Sequence, residues 1–184
     1  MRYGYLAVVL ALALPGCSVS KELPALQLSP AASVYRLGTG DVLKVTVYGE
    51  ERLTGSYPVN GEGRLAFPLL GELPASGKTL KEVEELIRTG LGEGFVNNPS
   101  VTVEVANYRP FYILGEVNRP GEYPYSDGLS VFAAVAKAGG FTYRASQKRI
   151  YIRHKESGDE NEYRLDGSTP VQPGDTIRVD ERSF

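Results

Sequence analysis

Two stretches of helical periodicity, each ended by glycines, interrupt a chain otherwise written in steps of two. That alternation restricts it to small half-buried sheets with one helix apiece. In Asp41–Tyr48, Leu43, Val45 and Val47 point one way while Lys44, Thr46 and Tyr48 point the other, which predicts a strand. Gly55–Val59 and Arg64–Pro68 predict two more, around Asn60-Gly61-Glu62-Gly63, where Asn-Gly suits positive φ. Thr79 with Glu82 predicts a capping box, and Leu80, Val83, Leu86, Ile87 and Leu91 form one apolar stripe. Gly90 and Gly92 lie where that helix should stop. Val101, Val103 and Val105 give a return strand, so β-β-β-α-β makes one compact α+β unit.

A second unit begins near Asn107. Phe111–Val117 is apolar enough for a buried strand, and Asn118-Arg119-Pro120-Gly121 has proline and glycine in the order of a type II turn. Gly121–Tyr125 is a short strand. Ser130 caps a helix over Val131–Ala138, closed by Gly139-Gly140. Arg149–His154 and Glu160–Leu165 form a hairpin over Glu156-Ser157-Gly158-Asp159, and Asp175–Asp180 is the last strand.

Hydrophobic residues at 42% and charged residues at 23% are globular values, so wholesale disorder is excluded as the expectation. A net charge of −2 lacks the basic footprint of a nucleic-acid binder. One cysteine excludes an internal disulfide framework and a multi-cysteine zinc site, and one histidine leaves little for a histidine-rich metal centre. The chain is expected to need no cofactor.

The first sixteen residues read as an address. Arg2 precedes the apolar run Leu6–Leu14, too short for the about 20 residues of a membrane span but right for a signal-peptide core. The run leads into Leu14-Pro15-Gly16-Cys17, where the sole thiol sits. The segment resembles a bacterial lipoprotein signal with its lipobox, which implies cleavage before Cys17 and lipidation of that residue. Ser18 after the cysteine points, in lipoproteins, to the outer membrane. Residues 17–34, with Pro24 and Pro30 and no clear periodicity, read as a lipid-proximal spacer.

Several motifs have two readings. Gly40-Asp41-Val42-Leu43-Lys44-Val45 is echoed by Gly174-Asp175-Thr176-Ile177-Arg178-Val179; the aspartates are a catalytic pair or, better supported by the repeated setting, turn closures ahead of strands. Ala75-Ser76-Gly77-Lys78-Thr79 resembles the end of a phosphate-binding loop, but that motif needs glycine at 72, which is Glu. His154 has no evident catalytic partners and reads as structural. Arg149, Tyr151 and Arg153 share a strand face with Arg144 and Lys148 just before it. They are candidate contacts for an anionic glycan or an acidic neighbouring subunit, or a solvated hairpin that guards a sheet edge.

A family resemblance rests on particular residues. Tyr35-Arg36-Leu37-Gly38-Thr39-Gly40-Asp41 and Arg64-Leu65-Ala66-Phe67-Pro68-Leu69-Leu70-Gly71 resemble the polysaccharide export domain of outer-membrane exopolysaccharide and capsule export lipoproteins. Ile113-Leu114-Gly115-Glu116-Val117-Asn118-Arg119-Pro120-Gly121, Ala138-Gly139-Gly140-Phe141 and Val171-Gln172-Pro173-Gly174-Asp175 resemble the soluble ligand-binding β-grasp (SLBB) domain that follows it. The resemblance implies two β-grasp-like domains in tandem, over 35–106 and 107–184, after a signal over 1–16. It implies a Gram-negative, periplasm-facing, outer-membrane lipoprotein that forms a homo-oligomeric ring, conducts a polysaccharide chain and performs no catalysis. It also implies an inner-membrane polysaccharide co-polymerase or tyrosine kinase as partner.

Large members carry a C-terminal amphipathic pore helix. This sequence stops at Glu181-Arg182-Ser183-Phe184, so it resembles the short form, which is expected to pair with a separate outer-membrane barrel. Two other classes stay open. One is a monomeric lipoprotein that captures a small ligand through its β-grasp domain. The other is a periplasmic glycan-active enzyme, for which no carboxylate pair stands out.

Overall fold

The computed structural model describes residues 35–182 apart from 156 and 168. The signal sequence, Cys17 and the 17–34 spacer lie outside the described residues. The elements run β1 (Val42–Val47), β2 (Gly55–Pro58), β3 (Arg64–Phe67), β4 (Gly71–Pro74), α1 (Leu80–Gly92) and β5 (Val101–Asn107). They continue as β6 (Phe111–Gly115), β7 (Gly121–Tyr123), α2 (Val131–Lys137), β8 (Arg149–Arg153), β9 (Glu160–Arg164) and β10 (Thr176–Val179). The chain is α+β, and its buried side chains fall into two separate cores, one on each side of Tyr108–Pro110.

In the first unit β1 lies between β2 and β5, antiparallel to both. Leu43, Val45 and Val47 are buried and Lys44, Thr46 and Tyr48 exposed, as the alternation requires. Helix α1 packs on this sheet through Val83, Ile87 and Leu91, all fully buried, each contributing about 1.5–3 kcal/mol of burial. Leu86 lies half-exposed at the edge of the stripe. Thr79 and Glu82 form the expected reciprocal capping box. Gly90 does not stop the helix, which runs on to Gly92. Its bare Cα instead seats Leu70, since a Cβ there would come within 3.0 Å of both Leu70 methyls.

One strand escaped the sequence pattern. β3 pairs with β4, not with β2; just past β2, the bridge Val59–Leu65 and the Asn60 amide on the Arg64 carbonyl link β3 to the chain before it. β4 is Gly71-Glu72-Leu73-Pro74, and only Leu73 of the four is even half-buried. Glycine and proline at its two ends hide it as turn punctuation. In the Asn60–Gly63 turn the positive φ falls at Gly63, while Asn60 accepts the Glu62 and Arg64 amides through its Oδ1.

The second unit is one five-stranded sheet in the order β7-β6-β10-β8-β9. Its middle pair, β6 and β10, is parallel, with Ile113 beside Ile177. Helix α2 covers one face with Val131, Ala134 and Val135 against Phe111, Ile113, Ile150, Ile152 and Ile177. Ser130 caps α2, and Gly139 and Gly140, both at positive φ, end it. Gly121 opens β7 at φ 158°, well away from the φ of about 80° at a type II corner. No helix among the described residues is long and apolar enough to cross a membrane.

Candidate functional site

The sequence echo becomes a structural one. Asp41 Oδ2 accepts the backbone amide of Gly38, and Asp175 Oδ2 accepts that of Gln172, each at 2.8 Å and each three residues back. Gly40 and Gly174, both at positive φ, let the chain turn just ahead of each aspartate. Both carboxylates are buried, and one oxygen of each is committed to its turn. They are turn closures, not a pair poised for acid–base work.

The remaining oxygen of each aspartate points to the domain junction. Asp41 Oδ1 accepts the backbone N–H of Arg109 at 2.9 Å, and its Oδ2 accepts the Tyr35 phenol at 2.6 Å. The Arg109 guanidinium lies 3.9 Å from the same carboxylate and donates from Nε to the Pro173 carbonyl at 2.8 Å. Arg109 is 5% exposed, so one buried cation spans both turns. Tyr35, Tyr108 and Tyr125 stack edge to face across the junction, with centroids 5.2 and 5.3 Å apart. Burial, then the hydrogen bond to Asp41, pushes the Tyr35 phenol far above the usual tyrosine range.

Asp175 Oδ1 meets His154 Nδ1 at 2.8 Å, and the Tyr163 hydroxyl lies 3.4 Å from Nε2. His154 therefore has a carboxylate partner that the sequence did not reveal. The row of Asp, His and hydroxyl does not make a nucleophile, because burial pushes the Tyr163 phenol up and Asp175 is tied to its turn. The histidine braces the turn, in keeping with the structural reading. The segment resembling a phosphate loop is equally occupied. Ala75 and Ser76 donate to Gly63, Gly77 to Leu37, and Thr79 to Glu82, so these amides already have protein acceptors. No group of three or more metal-ligating side chains exists among the described residues.

A groove of 460 Å³ opens at the junction, walled by Thr39, Arg109, Tyr112, Arg153, His154 and Lys155. Lys155 reaches across to the Thr39 carbonyl at 3.4 Å. The three candidate contact residues on β8 separate here. Arg149 faces Glu162 at 3.6 Å and Asp180 at 3.8 Å, and Tyr151 carries the Arg178 guanidinium 4.0 Å above its ring. Arg178 is in turn held by Glu160 at 2.7 and 3.0 Å. These two positions belong to an ion-paired sheet face. Only Arg153 reaches the groove. Sequence reading missed Arg109, whose place between two strands gave no period to betray it, and Tyr112, which alternation alone assigns merely to an outer face.

Comparison with known proteins agrees with this architecture. Residues 29–106 match the polysaccharide biosynthesis/export protein family, and residues 110–166 match the SLBB domain. The exopolysaccharide production protein ExoF of Rhizobium meliloti (strain 1021) is 42% identical over 160 residues, covering 80% of this chain and 35% of that protein. The EPS I polysaccharide export outer membrane protein EpsA of Ralstonia nicotianae is 31% identical over 148 residues, 66% of this chain and 39% of its own length. The polysialic acid transport protein KpsD of Escherichia coli is 25% identical over 158 residues, 80% of this chain and 28% of its own. The chain thus spans about a third of the length of these relatives. It belongs to the polysaccharide biosynthesis/export proteins in which that domain is followed by an SLBB domain.

Proposed function

We propose that this chain is a lipid-anchored component of a capsule or exopolysaccharide export complex on the periplasmic side of the outer membrane, where copies of it form a ring that conducts the glycan outward. The observation that carries this reading is the succession of the two matched domains, in the order and over most of the length described here. Relatives named for exopolysaccharide production, outer-membrane polysaccharide export and polysialic acid transport support the class of cargo. The apolar run before Cys17 supports the anchor, because two or more acyl chains hold a protein stably on a membrane.

Within such a ring, the same two surfaces of each protomer would meet head to tail, and closure depends on the rotation per subunit. The buried Arg109 bridge suits this, since it couples the two domains before they meet a neighbour. Catalysis is not part of the proposal: both junction carboxylates already serve turns. The partners are further copies, the polysaccharide, an inner-membrane co-polymerase or tyrosine kinase, and an outer-membrane barrel.

Deleting the gene and measuring polysaccharide separately outside the cell and in the periplasm tests the reading. Loss outside with intact polymer inside supports it, and unchanged secretion rejects it. A monomeric ligand-binding lipoprotein would instead sediment as a single chain and leave export intact.

A further inference from the structure

The junction groove has a chemical character of its own. Its lining includes Arg109, Arg153, His154 and Lys155, and no carboxylate among the described residues lines it. The registers of the second sheet explain the spacing of its groups. Thr176 on β10 lies beside Tyr112 on β6 and beside Arg153 on β8. An aromatic ring, a hydroxyl and a guanidinium therefore stand in one row across three strands, about 10 Å from end to end at the usual strand spacing. Lys155, from the second domain, reaches the Thr39 carbonyl of the first and closes the row.

The nearest acids on the same face are already engaged. Glu160, opposite Arg153 in register, is held by Arg178, and Glu122 faces the Tyr112 phenol. No ion pair joins Arg153 or Lys155 to a carboxylate among the described residues. Tyr112 is 41% exposed, a large amphipathic face open to solvent. A flat apolar ring beside a hydroxyl and two cations matches a sugar that carries a negative group. Such a unit would set its pyranose on the aromatic face, a sugar hydroxyl at Thr176 and its anionic oxygens at Arg153 and Lys155.

We propose that the groove between the two domains seats an anionic sugar unit of the transported polymer, one bearing a carboxylate or a phosphate. The proposal rests on the export reading above. It separates the junction residues Tyr112, Arg153 and Lys155, which touch glycan, from Arg149 and Tyr151, which hold the sheet face together. Arg109 and His154 are held by Asp41 and Asp175 at the floor of the groove, which leaves Arg153 and Lys155 as its exposed cations.

The test uses the full-length chain purified in detergent, with three oligosaccharide probes of equal length: a galacturonic acid oligomer, a phosphorylated glucan and a neutral glucan. The acidic probes should bind, the neutral one about tenfold or more weaker, and binding should fall with added salt. Arg153→Glu with Lys155→Glu should cost about tenfold in affinity for the acidic probes, and Tyr112→Ala should weaken whichever of them binds. Circular dichroism verifies that these exposed substitutions leave the fold intact. Preference for the carboxylate or for the phosphate probe identifies the anionic group. Equal binding of neutral and acidic probes overturns the proposal, as does unchanged affinity in the charge-reversed protein. A change in oligomer size without a change in probe binding also overturns it, and assigns the groove to an acidic neighbouring copy. If gene deletion stops export while the groove variants export and bind normally, this proposal alone fails; if deletion leaves export normal, the export reading fails first.

Discussion

Arg109 gives its backbone N–H to Asp41 across 68 residues of sequence, at 2.9 Å, and holds its guanidinium 3.9 Å from the same carboxylate. The charge pair is almost wholly buried, with the side chains 5% and 0% exposed. Its arithmetic is asymmetric, because removing Asp41 takes away both the acceptor of the Arg109 amide and a carboxylate beside its guanidinium in low dielectric. Asp41→Ala should therefore destabilise the protein by about 3–5 kcal/mol in urea unfolding. A cost below about 1 kcal/mol would mean that water reaches the Arg109 guanidinium and that the bridge is not the coupling element.

Tyr35 supplies a pH test of the same junction. Its folded value is raised above the usual 10.0, first by burial and then by the hydrogen bond to Asp41. A raised folded value means that the native state holds the phenolic proton more tightly. The associated stability is complete below pH 10 and declines as pH climbs above it. Tyr35→Phe should lose about 2 kcal/mol at neutral pH, a hydrogen bond to a charged acceptor, and should flatten the alkaline decline. An alkaline unfolding curve identical in shape for both proteins would remove Tyr35 from the account.

At Gly115 the backbone leaves no alternative residue. Its φ is 85°, and an added Cβ would lie 2.0 Å from the Val179 carbonyl oxygen, which accepts the Glu116 amide at 2.9 Å. Gly115→Ala must part the parallel strands β6 and β10, so a loss of about 3 kcal/mol or more is expected by thermal or chemical denaturation. Gly128→Ala is the comparison. It also has positive φ, at 72°, but nothing lies within 4 Å of its added Cβ, so its cost should be smaller.

On the outer sheet face, the Arg178 hydrogen bond holds the Glu160 carboxyl below its ordinary range. A depressed folded value gives stability that is present above the unfolded value of 4.5 and lost as pH falls through the folded one. Glu160→Gln should make unfolding less acid-sensitive. Because both side chains are about a third exposed, the neutral-pH change should stay under about 1 kcal/mol. Acid denaturation followed by circular dichroism reads both numbers, and an unchanged acid midpoint would contradict the pairing.

For the proposed anchor, Cys17→Ala should move the protein from the membrane fraction to the soluble periplasm and abolish labelling by radioactive fatty acid. Acyl label persisting in that variant would refute lipidation at this residue.

The local rules of the chain were readable in its residues. Alternation located β1, β5 and β10, the stripe from Leu80 to Leu91 with its Thr79–Glu82 box located α1, and Ser130 with Gly139-Gly140 bounded α2. These signals survive because capping, period and glycine conformation depend on neighbours within a few residues. β4 was lost for the same reason in reverse: four residues between glycine and proline, one of them half-buried, carry too little period to register. Likewise Gly90 looked like a helix stop, and only the packing of Leu70 shows it to be a seat.

The echo of Asp41 and Asp175 reached furthest, since the type of turn each one closes is written in the three residues before it. What those turns do for one another was not written there. Arg109 between them, His154 against Asp175, and the row of Tyr112, Thr176 and Arg153 all join residues from different strands or different domains. A sequence can specify a strand and its outward face by its own periodicity. Which outward faces stand side by side is set by strand order and register, and those are decided only when the sheet closes around its buried core.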